Sequence, residues 1–338
     1  MSEAKPKACA AYRVQDDELL LDFYKKLLWN RIVPRIPAAI TPNTLTIVGQ
    51  FCGVLSAVAT GAAVSGYPIF YLVSAFLMLA YLTFDNIDGA HARRTNQCSP
   101  LGEFLDHGLD GVASTAILIV TGFVLTIDDT WFVTLCALGA FGFVALFWEQ
   151  FRTGLLVIPR FSSTEGITVL MVYQALRFFV GNPEWLAFST DTITVGTVLV
   201  ALVFAGYIGA GIPSMRRAAR LGVPSWELIP LFVLMAAQVP YAHLGAHTLV
   251  PATTVGIIGA NVVCRMIVLR HRGDAGPILS PAMWLSVAPL AVPAFAPGVW
   301  TPTGWALVSL VIVTIDYGRM VWTGGSDLMG RAREARTA

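Results

Sequence analysis

Charged side chains are scarce in this sequence. Only 13% of its 338 residues are Asp, Glu, Lys or Arg, about half the quarter that a soluble domain carries. With 56% hydrophobic residues and a mean hydropathy of +0.67, that scarcity excludes a disordered chain and points to a bilayer as the solvent. A basic block is missing too. The 22 Lys and Arg nearly balance 21 Asp and Glu, a net charge of +1, so the electrostatic footprint that nucleic acid requires is absent. The five cysteines, Cys9, Cys52, Cys98, Cys136 and Cys264, have no paired spacing, and neither a disulfide framework nor a zinc site is expected. Nor is a cleavable leader expected: Lys5, Lys7 and Arg13 are followed by Asp16, Asp17, Glu18 and Asp22 before any long apolar stretch. The N-terminus is expected to be retained and cytoplasmic.

What the sequence has in abundance is long apolar runs. A spanning helix needs about 20 mainly apolar residues. Ten runs qualify, near 43–63, 68–86, 103–126, 131–149, 166–181, 193–212, 226–242, 248–268, 281–297 and 302–322. With both termini inside, all of the 22 Lys and Arg except Arg177 fall on inner segments, as the positive-inside rule requires. The expected fold is all-α, a polytopic membrane protein of about ten transmembrane helices. Residues 16–35 add an N-terminal amphipathic helix, with Leu20, Phe23, Tyr24, Leu27 and Leu28 on one face, suited to lying in the headgroup plane. Thr41 and Pro42 cap the start of the first span. The Ala-, Gly- and Arg-rich composition and short loops point to a bacterial inner membrane.

The chemistry is concentrated between Phe84 and Gly111. Asp85 and Asp88 are three apart and Asp106 and Asp110 four apart, so each pair shares one helix face. Ser99-Pro100 marks a turn between the two helices, which are expected to be antiparallel neighbours with all four carboxylates converging at the cytoplasmic edge. Acids are expensive at a membrane edge unless they act, and four of one sign need cations. Hard oxygen donors favour Mg²⁺, or Mn²⁺ or Ca²⁺, over zinc, and such an ion brings substrate phosphates with it. Gly89 and Gly102 leave room for a ligand near the backbone, and Arg93 and Arg94 can neutralise phosphate. A calcium loop fails on the aspartate spacing. A cation transporter would carry its acids near the midplane.

The pattern DxxDGxxAR(x8)GxxxDxxxD is met by Asp85, Asp88, Gly89, Ala92, Arg93, Gly102, Asp106 and Asp110, and it resembles the signature of CDP-alcohol phosphotransferases. DGAHARRTNQCSPLGEFLDHG, WEQFRTGLL at 148–156 and Thr164-Glu165-Gly166 resemble the choline/ethanolamine phosphotransferase branch. The resemblance implies transfer of a phosphoalcohol from a CDP-alcohol to diacylglycerol, releasing CMP. It implies metal binding by Asp85, Asp88, Asp106 and Asp110, and a CDP pocket from Gly89, Ala92 and Arg93, with Gly102 beside it. Asn43 and Thr46 match the family's PNxxT and either touch the nucleotide or cap the helix. For the general base, Asp110 is the family's candidate and His107 has the better matched pKa; the two stand level. His91 reads as structural or as a minor CDP contact. Trp148 and Glu149 can meet a quaternary ammonium, with Glu165 nearby, or serve as an anchor and a salt bridge.

On this reading residues 1–40 form the cytoplasmic N-terminus, 41–222 the catalytic six-helix domain and 223–338 a C-terminal four-helix region. A homodimer is implied by the family alone. Two other functions stay open: a phosphatidyltransferase using CDP-diacylglycerol and a small polar alcohol, and a cation transporter or inactive lipid-binding scaffold.

Overall fold

Proline and side-chain caps set the helix boundaries. In the computed structural model, which describes residues 13–16, 18–291 and 301–337, Thr41 Oγ1 accepts from the Thr44 N–H at 3.2 Å and Pro42 begins helix α1, Pro42–Val64. Helix α2, Ile69–Thr95, stops at Asn96, whose φ of +55° is left-handed. Ser99 Oγ then accepts from the Gly102 N–H at 3.0 Å and starts α3, Pro100–Leu125. Asp128 caps α4, Asp129–Thr153, and Gly154 ends it with φ +69°. A capping box formed by Ser162 and Glu165 opens α5, Ser163–Val180. The remaining long helices are α6, Val195–Arg220, α7, Leu249–Arg272, and α8, Pro302–Thr337.

Among the described residues, seven helices are long and apolar enough to cross a membrane: α1 to α4, α6, α7 and α8. This is an integral membrane architecture, but three of the ten apolar runs take another form. The fifth run is the 18-residue α5, which is not among the seven. The run at 226–242 is broken into Ser225–Leu228, Ile229–Ala236 and Val239–His243, with Pro230 and Pro240 each at the start of a segment where its missing N–H is tolerated. The run at 281–297 holds only the short segments Pro281–Leu285 and Ala288–Ala291; 292–297 lie outside the described residues, as do Lys5, Lys7, Cys9 and Asp17.

Small residues on α1 shape the packing. Gly49 sits against Phe84, where a Cβ would approach the Phe84 Cβ to 2.9 Å, and Gly53 sits against Ala113 at 3.1 Å and the Tyr81 ring at 3.4 Å. As a result α1 wedges between α2 and α3, packing on both. The short turn at Asn96–Ser99 had suggested α2 and α3 as direct neighbours. Their backbones hardly touch, because α1 occupies the groove between them. Helix α7 packs on α3, α4 and α8, and 78% of its apolar window is buried, the largest share of the seven.

The all-α expectation needs one amendment. Strands β1, Arg13–Asp16, and β2, Leu155–Ile158, pair in parallel with Arg13 opposite Leu155. Beyond β1, Glu18 accepts from the Thr164 N–H and hydroxyl, both at 3.1 Å, and Glu165 accepts from the Leu20 N–H at 2.8 Å. The chain then runs through a helical stretch from Leu21 to Arg35 that includes a wider π turn at Lys25–Trp29. That turn shifts the 3.6-residue period. Leu21, Tyr24 and Trp29 face inward, whereas Phe23 and Leu27, expected on the same face as Tyr24, are exposed. Tyr24 and Trp29 stack at 5.5 Å, and Tyr24 meets the Thr168 hydroxyl at 3.0 Å. One cysteine also departs from expectation: Cys98 is disulfide-bonded, while Cys52, Cys136 and Cys264 are free.

Candidate active site

The four aspartates come together where α2 ends and α3 begins. Asp85 lies within electrostatic reach of Asp110, Asp106 and Asp88. Helical spacing carries each pair onto one face, and the α1 wedge holds the two helices at the separation that lets the carboxyls meet. Ligand atoms of Asp106, His107 and Asp110 all lie within 4.8 Å of one another, so His107, expected as a base candidate rather than as a ligand, belongs to the same cluster. Its Nδ1 is 3.8 Å from Asp106 and 3.9 Å from Asp110, and its ring packs on Phe147 at 4.9 Å.

Helix α1 supplies donors to this acidic cluster one turn apart. The Thr46 hydroxyl donates to Asp88 Oδ2 at 2.5 Å, and Gln50 Nε2 donates to Asp110 Oδ1 at 2.7 Å. The Tyr81 hydroxyl donates to the same Asp110 oxygen at 3.4 Å. Among the described residues, His107 is the ion-pair partner of these carboxylates, with no Lys or Arg bridging to them.

Around the cluster, Gly89 is crossed only by the end of the exposed Arg93 side chain, 3.4 Å from where a Cβ would sit. Asn43 Oδ1 lies 3.4 Å from the corresponding point on Gly102, which brings the start of α1 beside the start of α3. Ala92 is buried. Arg94 is directed to the Ile36 carbonyl and to His91 Nδ1, and His91 Nε2 meets the Ile40 carbonyl at 2.8 Å. His91 therefore joins α2 to the segment preceding α1.

Trp148 and Glu149 stand apart from this group, on α4. Trp148 is fully buried and donates its indole N–H to Glu227 at 3.2 Å, while Glu149 is 1% exposed and accepts a bidentate pair from Arg217 at 2.6 and 2.7 Å. Both have internal partners and no open face toward a headgroup. Glu165 is bound by the Ser162 and Leu20 backbones.

The far side of α3 is braced by the C-terminal helices. Arg270 pairs with Glu103, and His271 Nε2 meets Glu103 at 3.0 Å, less than one turn before Asp106. Gly111 lies against Ala260 and Gly108 against Cys264 Sγ so closely that a Cβ at either would come within 2.6 Å. Thr46 came from the sequence as part of PNxxT. Gln50, Tyr81 and the Glu103 brace did not, because no local pattern marks a side chain that reaches the site from a neighbouring helix.

An acid cluster at the ends of membrane helices, backed by neutral donors and flanked by glycines and an arginine, has the chemistry to suit a divalent ion and a phosphorylated substrate. The family model described as CDP-alcohol phosphatidyltransferase matches residues 39–314, and this chain belongs to that family. The proteins of that family are phosphotransferases that use divalent metals. An uncharacterized CDP-alcohol phosphatidyltransferase class-I family protein 2 of Dictyostelium discoideum is 30% identical over 288 residues, covering 80% of this chain and 69% of its own. Cholinephosphotransferase 1 of Gallus gallus is 32% identical over 178 residues, 49% of this chain and 52% of its own. Its Homo sapiens counterpart is 30% identical over 173 residues, 49% and 43%. The chain spans about half the length of the cholinephosphotransferases it matches. These relatives are eukaryotic, so the bacterial membrane rests on composition alone.

Proposed function

We propose that this protein transfers phosphocholine or phosphoethanolamine from a CDP-alcohol to the hydroxyl of diacylglycerol, releasing CMP. The observation that carries the reading is the convergence of Asp85, Asp88, Asp106 and Asp110 beside Gly89 and Arg93, in a chain similar to cholinephosphotransferases.

The donor set fits a divalent ion. Its oxygens are hard, ligand atoms of Asp106 and Asp110 lie within 4.8 Å of each other and of His107, and no Lys or Arg ion pair to these carboxylates is present among the described residues. Asp85, Asp88, Asp106 and Asp110 would hold Mg²⁺ or Mn²⁺, which when bound neutralises pyrophosphate charge and stabilises departing CMP. Thr46, by holding Asp88, and Gln50 and Tyr81, by holding Asp110, keep those carboxyls from rotating away. Arg93, Gly89, Ala92 and Gly102, with Asn43, form the nucleotide side.

The diacylglycerol hydroxyl attacks the phosphorus bearing the alcohol. One P–O bond forms as the bond to the CMP oxygen breaks, and the hydroxyl proton passes to His107 or Asp110. The Lys and Arg gathered at the same end of the spans favour a cytoplasmic position for this face. The bilayer supplies the lipid acceptor, and two chains form a homodimer, which cross-linking in native membranes tests.

The experiment is CMP release by the purified protein in lipid with Mg²⁺. CDP-choline or CDP-ethanolamine is supplied with diacylglycerol, beside CDP-diacylglycerol with mixed small alcohols. Release that requires diacylglycerol and a CDP-aminoalcohol is expected, and the better donor names the headgroup. Release only with CDP-diacylglycerol would assign the opposite chemistry, and silence with every donor would favour a transporter or scaffold.

A further inference from the structure

Gln50 is 8% exposed, and its two amide ends have different fates. Nε2 donates to Asp110, but Oε1 is buried with no hydrogen-bond partner. Buried polar atoms are nearly always satisfied, and one that is not needs a reason. The orientation of the amide is set by its neighbour: reversed, it would press Oε1 against a carboxylate oxygen, acceptor on acceptor. The unmet acceptor is therefore held one amide carbon away from the Asp110 contact, at the edge of the cluster.

A second observation concerns what surrounds it. Asp85, Asp88, Asp106 and Asp110 are all acceptors when ionised. The neutral donors nearby are already spent, Thr46 on Asp88 and Tyr81 on Asp110. No described side chain offers Oε1 the donor it lacks, and a substrate hydroxyl can supply one. Of the reacting groups, the attacking alcohol is a neutral O–H donor, and its proton must be delivered next to Asp110 and His107.

We propose that Gln50 binds the acceptor alcohol, Oε1 accepting a hydrogen bond from the attacking hydroxyl while Nε2 holds Asp110. This rests on the phosphotransferase reading above and names the residue that positions its acceptor. Thr46 and Gln50, four apart on α1, then divide the work: Thr46 holds Asp88 and meets the Pro42 carbonyl of its own helix, and Gln50 links a carboxylate to the incoming lipid. The second lone pair of the hydroxyl oxygen stays available for attack on phosphorus.

The test uses Gln50→Met, which keeps the volume and removes both hydrogen bonds, and Gln50→Asn, which keeps the amide but shortens its reach. Transfer is measured in lipid while diacylglycerol and CDP-alcohol are varied separately, and CDP-alcohol binding with Mg²⁺ is followed by calorimetry. Both variants are expected to raise the KM for diacylglycerol about tenfold, the effect of losing one hydrogen bond, and to leave CDP-alcohol affinity within about twofold. A fall in kcat with the diacylglycerol KM unchanged would overturn the proposal, because Gln50 would then act only through Asp110. Lost CDP-alcohol binding in both variants would also overturn it, by showing a structural role. If the wild type uses CDP-diacylglycerol instead, the reaction assignment fails on its own. The small alcohol then replaces diacylglycerol in the same test, with the same two results deciding it. An inactive wild type overturns both.

Discussion

At the scale of single residues, the site separates groups that would touch metal or substrate from groups that hold them. Asp106→Asn keeps the shape and removes a charge from the cluster. It should cut transfer by more than the roughly 10–100-fold that follows loss of an outer partner of a metal ligand, with weaker Mn²⁺ binding measured by electron paramagnetic resonance. Thr46→Val removes the donor to Asp88 and the hydroxyl contact to the Pro42 carbonyl and should fall within that 10–100-fold range; full activity would show that Asp88 needs no such support. The aspartates were legible in the sequence because helical periodicity turns their gaps of three and four into a common face. Gln50 and Tyr81 were not. Each reaches Asp110 from its own helix, and which helices adjoin is decided by packing far along the chain.

At the scale of elements, the same contrast holds for boundaries and contacts. Proline and capping residues announced the starts of α1 and α3, since Thr41 and Ser99 satisfy backbone donors through local chemistry. The α1 wedge, the β1–β2 pair and the fit of α7 on α3 are long-range contacts and had no local signal. The break of the run at 226–242 had one, in Pro230 and Pro240, but a hydropathy reading counts those residues only as interruptions in an apolar stretch.

The fit of α7 on α3 yields two predictions, at Gly111 and Arg270, with a control on α8. Gly111→Val would force the Ala260 backbone away and should cost about 1–3 kcal/mol, seen as a lower thermal midpoint in detergent. Gly318→Ala, with nothing within 4 Å of the new Cβ, should leave both midpoint and activity unchanged. Arg270→Ala leaves the buried Glu103 carboxyl with His271 alone. It should destabilise by up to the roughly 3–5 kcal/mol of a broken buried pair and lower activity, because α3 carries Asp106, His107 and Asp110. Normal stability in that variant would mean that α7 does not hold α3 in place.

At the scale of the whole molecule, the acid cluster sits where α2 ends and α3 begins, and both are among the seven described helices long and apolar enough to cross a membrane. The composition foretold the membrane, and the motif foretold the family. The headgroup was not legible, because recognition of an ammonium depends on a few side chains, and the two expected to supply it, Trp148 and Glu149, are enclosed by Glu227 and Arg217. Removal of divalent ions with EDTA should abolish transfer, and Mg²⁺ should restore it without refolding.

The most direct measurement follows the phosphoalcohol itself. Purified protein in lipid receives CDP-choline or CDP-ethanolamine deuterated in the alcohol, with diacylglycerol and Mg²⁺, and the lipid product is weighed by mass spectrometry. The account predicts a phospholipid carrying the whole label from one of the two donors, absent with EDTA and in Asp106→Asn. CMP released from both donors with no labelled lipid would contradict it.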